Sequence, residues 1–288
     1  MVCSPLLFGS SSGGRLQPSG LAVLVVGLLL GAALSGCGAS TGDAGDVAGP
    51  RLSSESDGTS ANPKVVTGGP LATFADESET VSQLKHISVV AEVSVPNITV
   101  RSAPEPDAEV VVELANPVAT GGPLVFMATE AVVGEDGWIE VMLPVRPNGT
   151  TGWVQTDEVE LKRNHYRVEI DVSDHLLWVY LDGEVVVETE VGIGTGDTPT
   201  PIGSFYLAEL LEPIEQNGPY GDFAFGLSGF SETLTNFNGG EGVIGIHGTN
   251  DPDSLGTNVS HGCVRVANEV ISQLAAELPL GTPVHIEQ

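Results

Sequence analysis

Between Ser88 and Leu161 short runs rich in β-branched residues, in part alternating apolar with polar, are punctuated by turn residues: "ISVVAEVSV", "NITVRSAPEPDAEVVVEL", "GPLVFMATEAVV", "GEDGWIEVML" and "TGWVQTDEVEL". Successive side chains of a strand point to opposite faces, so this alternation predicts half-buried strands. The Gly, Pro, Asn and Asp residues between the runs supply the turns, and the close spacing predicts a small all-β barrel.

The same period continues in "YRVEIDVSDHLLWVYLDGEVVVETEVGIG" from Tyr166 to Gly194, broken by Asp182-Gly183. Such a pair accepts the positive φ angles of a tight hairpin turn, so two antiparallel strands are expected around it. "TPTPIGSFYLAEL" adds a proline-stiffened turn and a further strand, and "GVIGIHG" reads as a short buried strand ending at His247. The period changes once: Val270, Ile271, Leu274, Ala275 and Leu278 recur at helical spacing, with Asn268 as a candidate cap and Pro279 and Gly281 as the stop. "TPVHIEQ" supplies a last strand. The fold class expected is mainly β: a small barrel, then a mostly β domain with one clear helix and a long glycine-rich loop before it.

The N-terminal part departs from both periods. Arg15 precedes the uncharged run "LAVLVVGLLLGAAL" from Leu21 to Leu34, and Ser35 and Gly36 come before Cys37. The run is too short for a comfortable membrane span and reads as a signal peptide over residues 1–36. "LSGC" resembles the lipobox of bacterial lipoproteins, which implies acylation of Cys37 as the first mature residue, a membrane anchor and an extracytoplasmic location facing the cell wall. From Gly38 to about Glu79 the chain is rich in Gly, Ser, Thr, Asp and Pro. Too little apolar surface is available there for a core, so residues 37–85 are expected to be a flexible tether. The remainder suffices for two domains, at 86–162 and 165–288.

Charge narrows the partners. Ten Lys plus Arg against 38 Asp plus Glu give a formal net charge of −28, which repels phosphate backbones and argues against nucleic acid. Cysteine usage narrows the chemistry. With Cys3 and Cys37 in or beside the targeting segment, Cys263 has no disulfide partner in the mature chain. Around it, "GIHGTNDPDSLGTNVSHGCVRVAN" holds His247, His261 and Cys263, with turn formers between the first and the last. A thiol near its reference pKa is mostly protonated at neutral pH and needs an adjacent imidazole or dipoles to become a thiolate, the reactive form; His247, on a rigid strand end, is the candidate base and His261 its rival. Gly262 permits close backbone approach, and the amides around Gly262 and Cys263 are candidates for an oxyanion hole. The same three side chains are also zinc-ligand types, but no CxxC pair, HExxH helix or fourth ligand accompanies them.

Two resemblances sharpen the reading. "ITVRSAPEPDAEVV", "DGWIEVML" and "TGWVQTDEVEL" resemble bacterial SH3-like domains, with Trp138 and Trp153 where that family keeps aromatics. Such modules bind wall peptides or glycans, or serve as spacers that pack on a catalytic domain. "HGTNDPDSLGTNVSHGCVRVAN", "TPTPIGSF" and the hairpin of Trp178 and Tyr180 resemble the YkuD-type L,D-transpeptidases across 166–287. That resemblance implies Cys263 as nucleophile, His247 as proton donor and acceptor, and the Gly248 carbonyl as the group orienting the imidazole. Ser260, His261 and Gly262 would line the site, Arg265 would lie near the donor peptide, and Tyr220 or Phe225 would border the substrate groove. It implies 3→3 cross-linking of peptidoglycan stem peptides through a cysteine acyl-enzyme in a monomer that needs no cofactor or metal. The alternatives are an L,D-carboxypeptidase that passes the acyl group to water and a non-catalytic wall-binding lipoprotein.

Overall fold

The computed structural model describes residues 63–66, 68–73, 86–130, 137–215, 218–236 and 240–288. The signal segment, Cys37 and most of the expected tether lie outside the described residues. The described residues fall in one compact unit and are mainly β, with one α-helix among them, α1 (Asn268–Glu277).

The strands in chain order are β1 (Lys64–Val65), β2 (Ala72–Thr73), β3 (Ser88–Val93), β4 (Asn97–Arg101), β5 (Val110–Ala115), β6 (Val125–Ala128), β7 (Trp138–Met142), β8 (Thr151–Gln155) and β9 (Val159–Asn164). There follow β10 (Tyr166–Asp171), β11 (Leu176–Leu181), β12 (Glu184–Glu190), β13 (Ile193–Gly194), β14 (Gly203–Glu212), β15 (Ala224–Phe230), β16 (Val243–His247), β17 (Asn258–Ser260), β18 (Val264–Arg265) and β19 (Pro283–Glu287). The first sheet has eight antiparallel strands in the order β2-β9-β3-β6-β7-β8-β4-β5 and closes around Ile98, Val100, Phe126, Val141 and Val154. These are the alternate apolar positions of its runs, as period-two burial requires.

The second sheet has nine strands, ordered β12-β11-β10-β19-β14-β15-β16-β18, with β1 added against β14. The Asp182-Gly183 turn joins β11 to β12 with both residues at positive φ. β15 and β16 are buried along nearly their whole length, which explains why "GVIGIHG" shows no polar alternation. α1 packs Ile271, Leu274 and Ala275 into the core, as its spacing predicts. Its N-cap, however, is Ala267 and makes no side-chain cap. Asn268 is instead the first helical residue, because its side-chain oxygen accepts a hydrogen bond from the Thr249 N–H at 2.9 Å.

The expected tether also differs in part. Lys64–Val65 pairs with Leu211 and Glu212, the Gly69 N–H donates to the Leu278 carbonyl at 2.9 Å, and Ala72–Thr73 pairs with Lys162 and Arg163. The backbone groups of this polar stretch find partners on existing sheet edges and on the end of α1, which orders it without a core of its own.

The two sheets share buried surface. Val90, Val125 and Met142 of the first belong to the same apolar cluster as Phe205, Leu207, Leu278 and Leu280. The Asn164 side-chain amide donates to Thr282 Oγ1 at 3.0 Å within this contact. Gly281 is the point of closest approach: a Cβ there would lie 2.5 Å from both γ-methyls of Val90. Gly281→Ala is therefore expected to cost about 1–3 kcal/mol by overpacking. Chemical denaturation followed by tryptophan fluorescence, with Trp138 and Trp153 in the first sheet and Trp178 in the second, would show one shared transition at lower denaturant; two separable transitions would contradict the shared core.

Candidate active site

β16 is the platform of the site. It pairs with β15 on one side and runs parallel to β18 on the other, with Ile246 opposite Val264 and His247 opposite Arg265. Val264 points into the core, so Cys263 and Arg265, its neighbours in sequence, project from the other face, the face that carries His247. The Gly245 backbone hydrogen-bonds the Cys263 sulfur, as expected two residues back along this register. The loop between His247 and Cys263 thus folds back, as its turn formers predict, and brings the two residues to adjacent strands.

The turn that delivers the cysteine is held by one hydroxyl. Ser260 Oγ donates to the Cys263 carbonyl and accepts from the Gly262 N–H at 3.1 Å. Gly262 has φ 113°, a left-handed conformation that a side chain would strain, so the residue before Cys263 must be glycine. The Ser260 carbonyl accepts from the Thr195 N–H at 3.0 Å and from Thr198 Oγ1 at 3.2 Å, which ties the turn to the proline-stiffened segment. With its N–H spent on Ser260, Gly262 is not an oxyanion donor as expected, and the amide of Cys263 remains the candidate.

His247 is buried, and its Nδ1 lies 2.6 Å from the Gly248 carbonyl. A carbonyl only accepts, so Nδ1 carries the proton and Nε2 presents its lone pair to the site. The imidazole pKa is pushed down to about 4, chiefly by burial and further by the positive charge of Arg265; the hydrogen bond to Gly248 acts in the opposite sense. Burial pushes the Cys263 thiol up, against the Gly245 hydrogen bond and the Arg265 charge. Cys263 is half-buried, and the protein packed around it disfavours its charged form. The resting pair is therefore neutral thiol and neutral imidazole rather than the thiolate that an adjacent imidazole was expected to produce.

Of the residues singled out in the sequence, Cys263, His247, Gly248, Ser260, Gly262 and Arg265 are brought together, and the Gly248 carbonyl does orient the imidazole. His261 is exposed, outside the buried pair. Phe225 is fully buried in the core and cannot border a groove, whereas the Tyr220 ring tilts against His247 with centroids 4.8 Å apart. Among the described residues no group of three or more His, Cys, Asp or Glu side chains could hold a metal, so the zinc set does not assemble. The sequence reading missed Asn268 as a support of the loop after His247. Its side-chain oxygen lies 2.1 Å from where a Cβ on Gly221 would stand and 2.2 Å from one on Gly248, a contact that no local pattern in the sequence announces.

Residues 165–286 match the family model of the L,D-transpeptidase catalytic domain, YkuD. The same region is similar to YkuD of Bacillus subtilis, 31% identical over 123 residues that cover 43% of this chain and 66% of the relative. To YkuD of Bacillus licheniformis it is 32% identical over 121 residues, covering 42% of this chain and 65% of the relative. The chain thus spans just under two thirds of the length of these curated relatives. Among solved structures, the catalytic domain of the E. faecium L,D-transpeptidase is 27% identical with a TM-score of 0.31, covering 42% of this chain and 95% of that one. The match to the YkuD model contains every residue of the site just described, from Thr195 to Asn268.

The depressed pKa of His247 has a consequence for stability. Between its ordinary value of 6.5 and about 4, the unfolded chain binds a proton that the folded protein does not. The contribution is complete above about pH 6.5 and is lost as pH falls toward and through about 4. His247→Gln, which cannot titrate, should lose less stability over this window than the parent in chemical denaturation. Parallel losses in the two proteins would show that His247 titrates normally.

Proposed function

We propose that the domain is a peptidoglycan L,D-transpeptidase acting through Cys263, and that it forms 3→3 cross-links between stem peptides. The observation that carries the reading is the Nδ1–H of His247 on the Gly248 carbonyl, which leaves an unprotonated Nε2 on the strand next to the one that Cys263, the only cysteine among the described residues, precedes. The match of residues 165–286 to the YkuD model supports it independently. Cys263 attacks the carbonyl carbon of the third residue of a stem tetrapeptide as its S–H proton passes to Nε2. The tetrahedral oxyanion is met by the Cys263 amide, within the positive field of Arg265. The bond to the terminal D-alanine then breaks, and Nε2 returns the proton to the leaving amine. An acceptor amine on a neighbouring stem attacks the thioester, gives a proton to Nε2, and the thiol recovers it. No step calls for a cofactor.

Because the resting pair is neutral, proton transfer accompanies attack instead of preceding it, and the imidazole stays competent down to its own pKa of about 4. Acylation by a carbapenem should therefore decline on the acid side near pH 4 rather than near 6.5. Cys263→Ala should abolish acylation and turnover, while His247→Ala should slow both by about 10²- to 10⁴-fold. Mass spectrometry of the protein with a purified stem tetrapeptide distinguishes a cross-linked dimer, the expected product, from a tripeptide, which would make the domain a carboxypeptidase. No reaction, together with no carbapenem adduct, would leave a wall-binding role.

We further propose that the chain is lipid-anchored at Cys37 outside the cytoplasmic membrane, supported by "LSGC" after the apolar run, and that the first sheet is an SH3-like module packed on the catalytic domain. Cys37→Ala should release the protein from the membrane fraction with the chemistry of the domain intact. Unchanged membrane association would refute the anchor.

A further inference from the structure

The turn between β7 and β8 reaches out of the first sheet and grips the second. The Asn148 side-chain amide donates to the Phe230 carbonyl at 2.8 Å and accepts from the Phe230 N–H at 2.9 Å, imitating a paired strand residue at the end of β15. Arg146 donates from Nη1 to the Ser231 carbonyl at 2.9 Å and from Nη2 to the carbonyls of Leu234 and Glu241 at 3.2 and 2.7 Å. Its guanidinium carbon lies 4.8 Å from the centre of the Phe230 ring. Two side chains thus make five hydrogen bonds to the backbone where β15 ends and the chain returns toward β16.

One residue of that backbone stands near the catalytic turn. The Ser231 N–H donates to the Gly242 carbonyl at 2.8 Å, and Ser231 Oγ accepts from the Leu234 N–H at 3.1 Å. Ser231 is buried, and its Oγ stands 4.0 Å from the place a Cβ on Gly262 would occupy, next to Ile244 and the Pro199 carbonyl. The residue whose carbonyl Arg146 holds is therefore, with Pro199 and Ile244, among the nearest neighbours on the open side of the glycine that precedes Cys263. Docking of the two sheets does not need this grip. Val90 against Gly281, Asn164 on Thr282 and Thr120 Oγ1 on Glu209 Oε1 at 2.7 Å already join them elsewhere.

We propose that Arg146 and Asn148 are positioning residues for the reaction: from the first sheet they fix the backbone near Gly262 and so set the direction in which Cys263 presents its thiol. The first sheet is on this account part of the catalytic apparatus. A lysine at 146 supplies one compact charge and cannot span three carbonyls as the planar guanidinium does.

The inference rests on Cys263 being the acylated nucleophile, and the experiment separates the two. Rates of Cys263 acylation by ertapenem, which demands a shaped site, are compared with alkylation by iodoacetamide, which does not, in the parent, Arg146→Ala, Arg146→Lys, Asn148→Ala and Thr120→Ala. Misplacing the thiol should slow ertapenem by about tenfold or more in Arg146→Ala and leave iodoacetamide within about twofold. Arg146→Lys should recover the rate only in part, and Thr120→Ala, which loosens the same interface away from the turn, should match the parent. Parental acylation in Arg146→Ala, or equal slowing in Arg146→Ala and Thr120→Ala in step with their melting temperatures, would overturn the proposal. If Arg146→Ala does not fold, Asn148→Ala decides by the same two criteria. A parent protein that ertapenem fails to acylate would instead sink the reading of Cys263 on which the inference stands.

Discussion

The hydrogen bond from His247 Nδ1 to the Gly248 carbonyl is the constraint on which the site depends. It joins adjacent residues, so it needs no distant partner. It fixes the tautomer, and with it the nitrogen left free to act as a base. The rest of the neighbourhood serves to keep that geometry. Asn268 at the head of α1 holds Thr249, glycine at 221 and 248 lets the chains approach, and the Tyr220 ring closes one side of the imidazole.

Burial and charge then work in different directions on the two reacting groups. Withdrawal from water disfavours both ions, so it lowers the imidazole and raises the thiol. Arg265, opposite His247 in the parallel pair of β16 and β18, lowers both: it repels the imidazolium and steadies a thiolate. The outcome is a pair poised to move one proton only as a bond to sulfur forms. An oxyanion developing at Cys263 would lie in the field of a cation fixed in advance.

Most of the strand framework was legible because its code is local. Alternation located the strands, Asp182-Gly183 located a hairpin, and helical spacing located α1. His247 and Cys263 were legible because a buried strand end and a glycine-flanked cysteine are visible in the chain itself. What was not legible depends on distant partners. Asn268 looks like a cap until Thr249 claims its side chain, Gly262 looks like an oxyanion donor until Ser260 takes its N–H, and Phe225 looks like a groove residue until the core takes it. Residues 64–73 have the composition of a tether, yet sheet edges and the end of α1 offer their backbone a place. The thiol's protonation was misjudged for the same reason, since desolvation is a property of the assembled site.

The account of a neutral pair with a fixed tautomer is tested most directly by nitrogen NMR of the histidine side chains across pH. It predicts that between about pH 5 and 8 His247 stays neutral with its proton on Nδ1, and gains a second proton only toward about pH 4. A His247 that protonates near its ordinary 6.5, or whose neutral form carries the proton on Nε2, would contradict it.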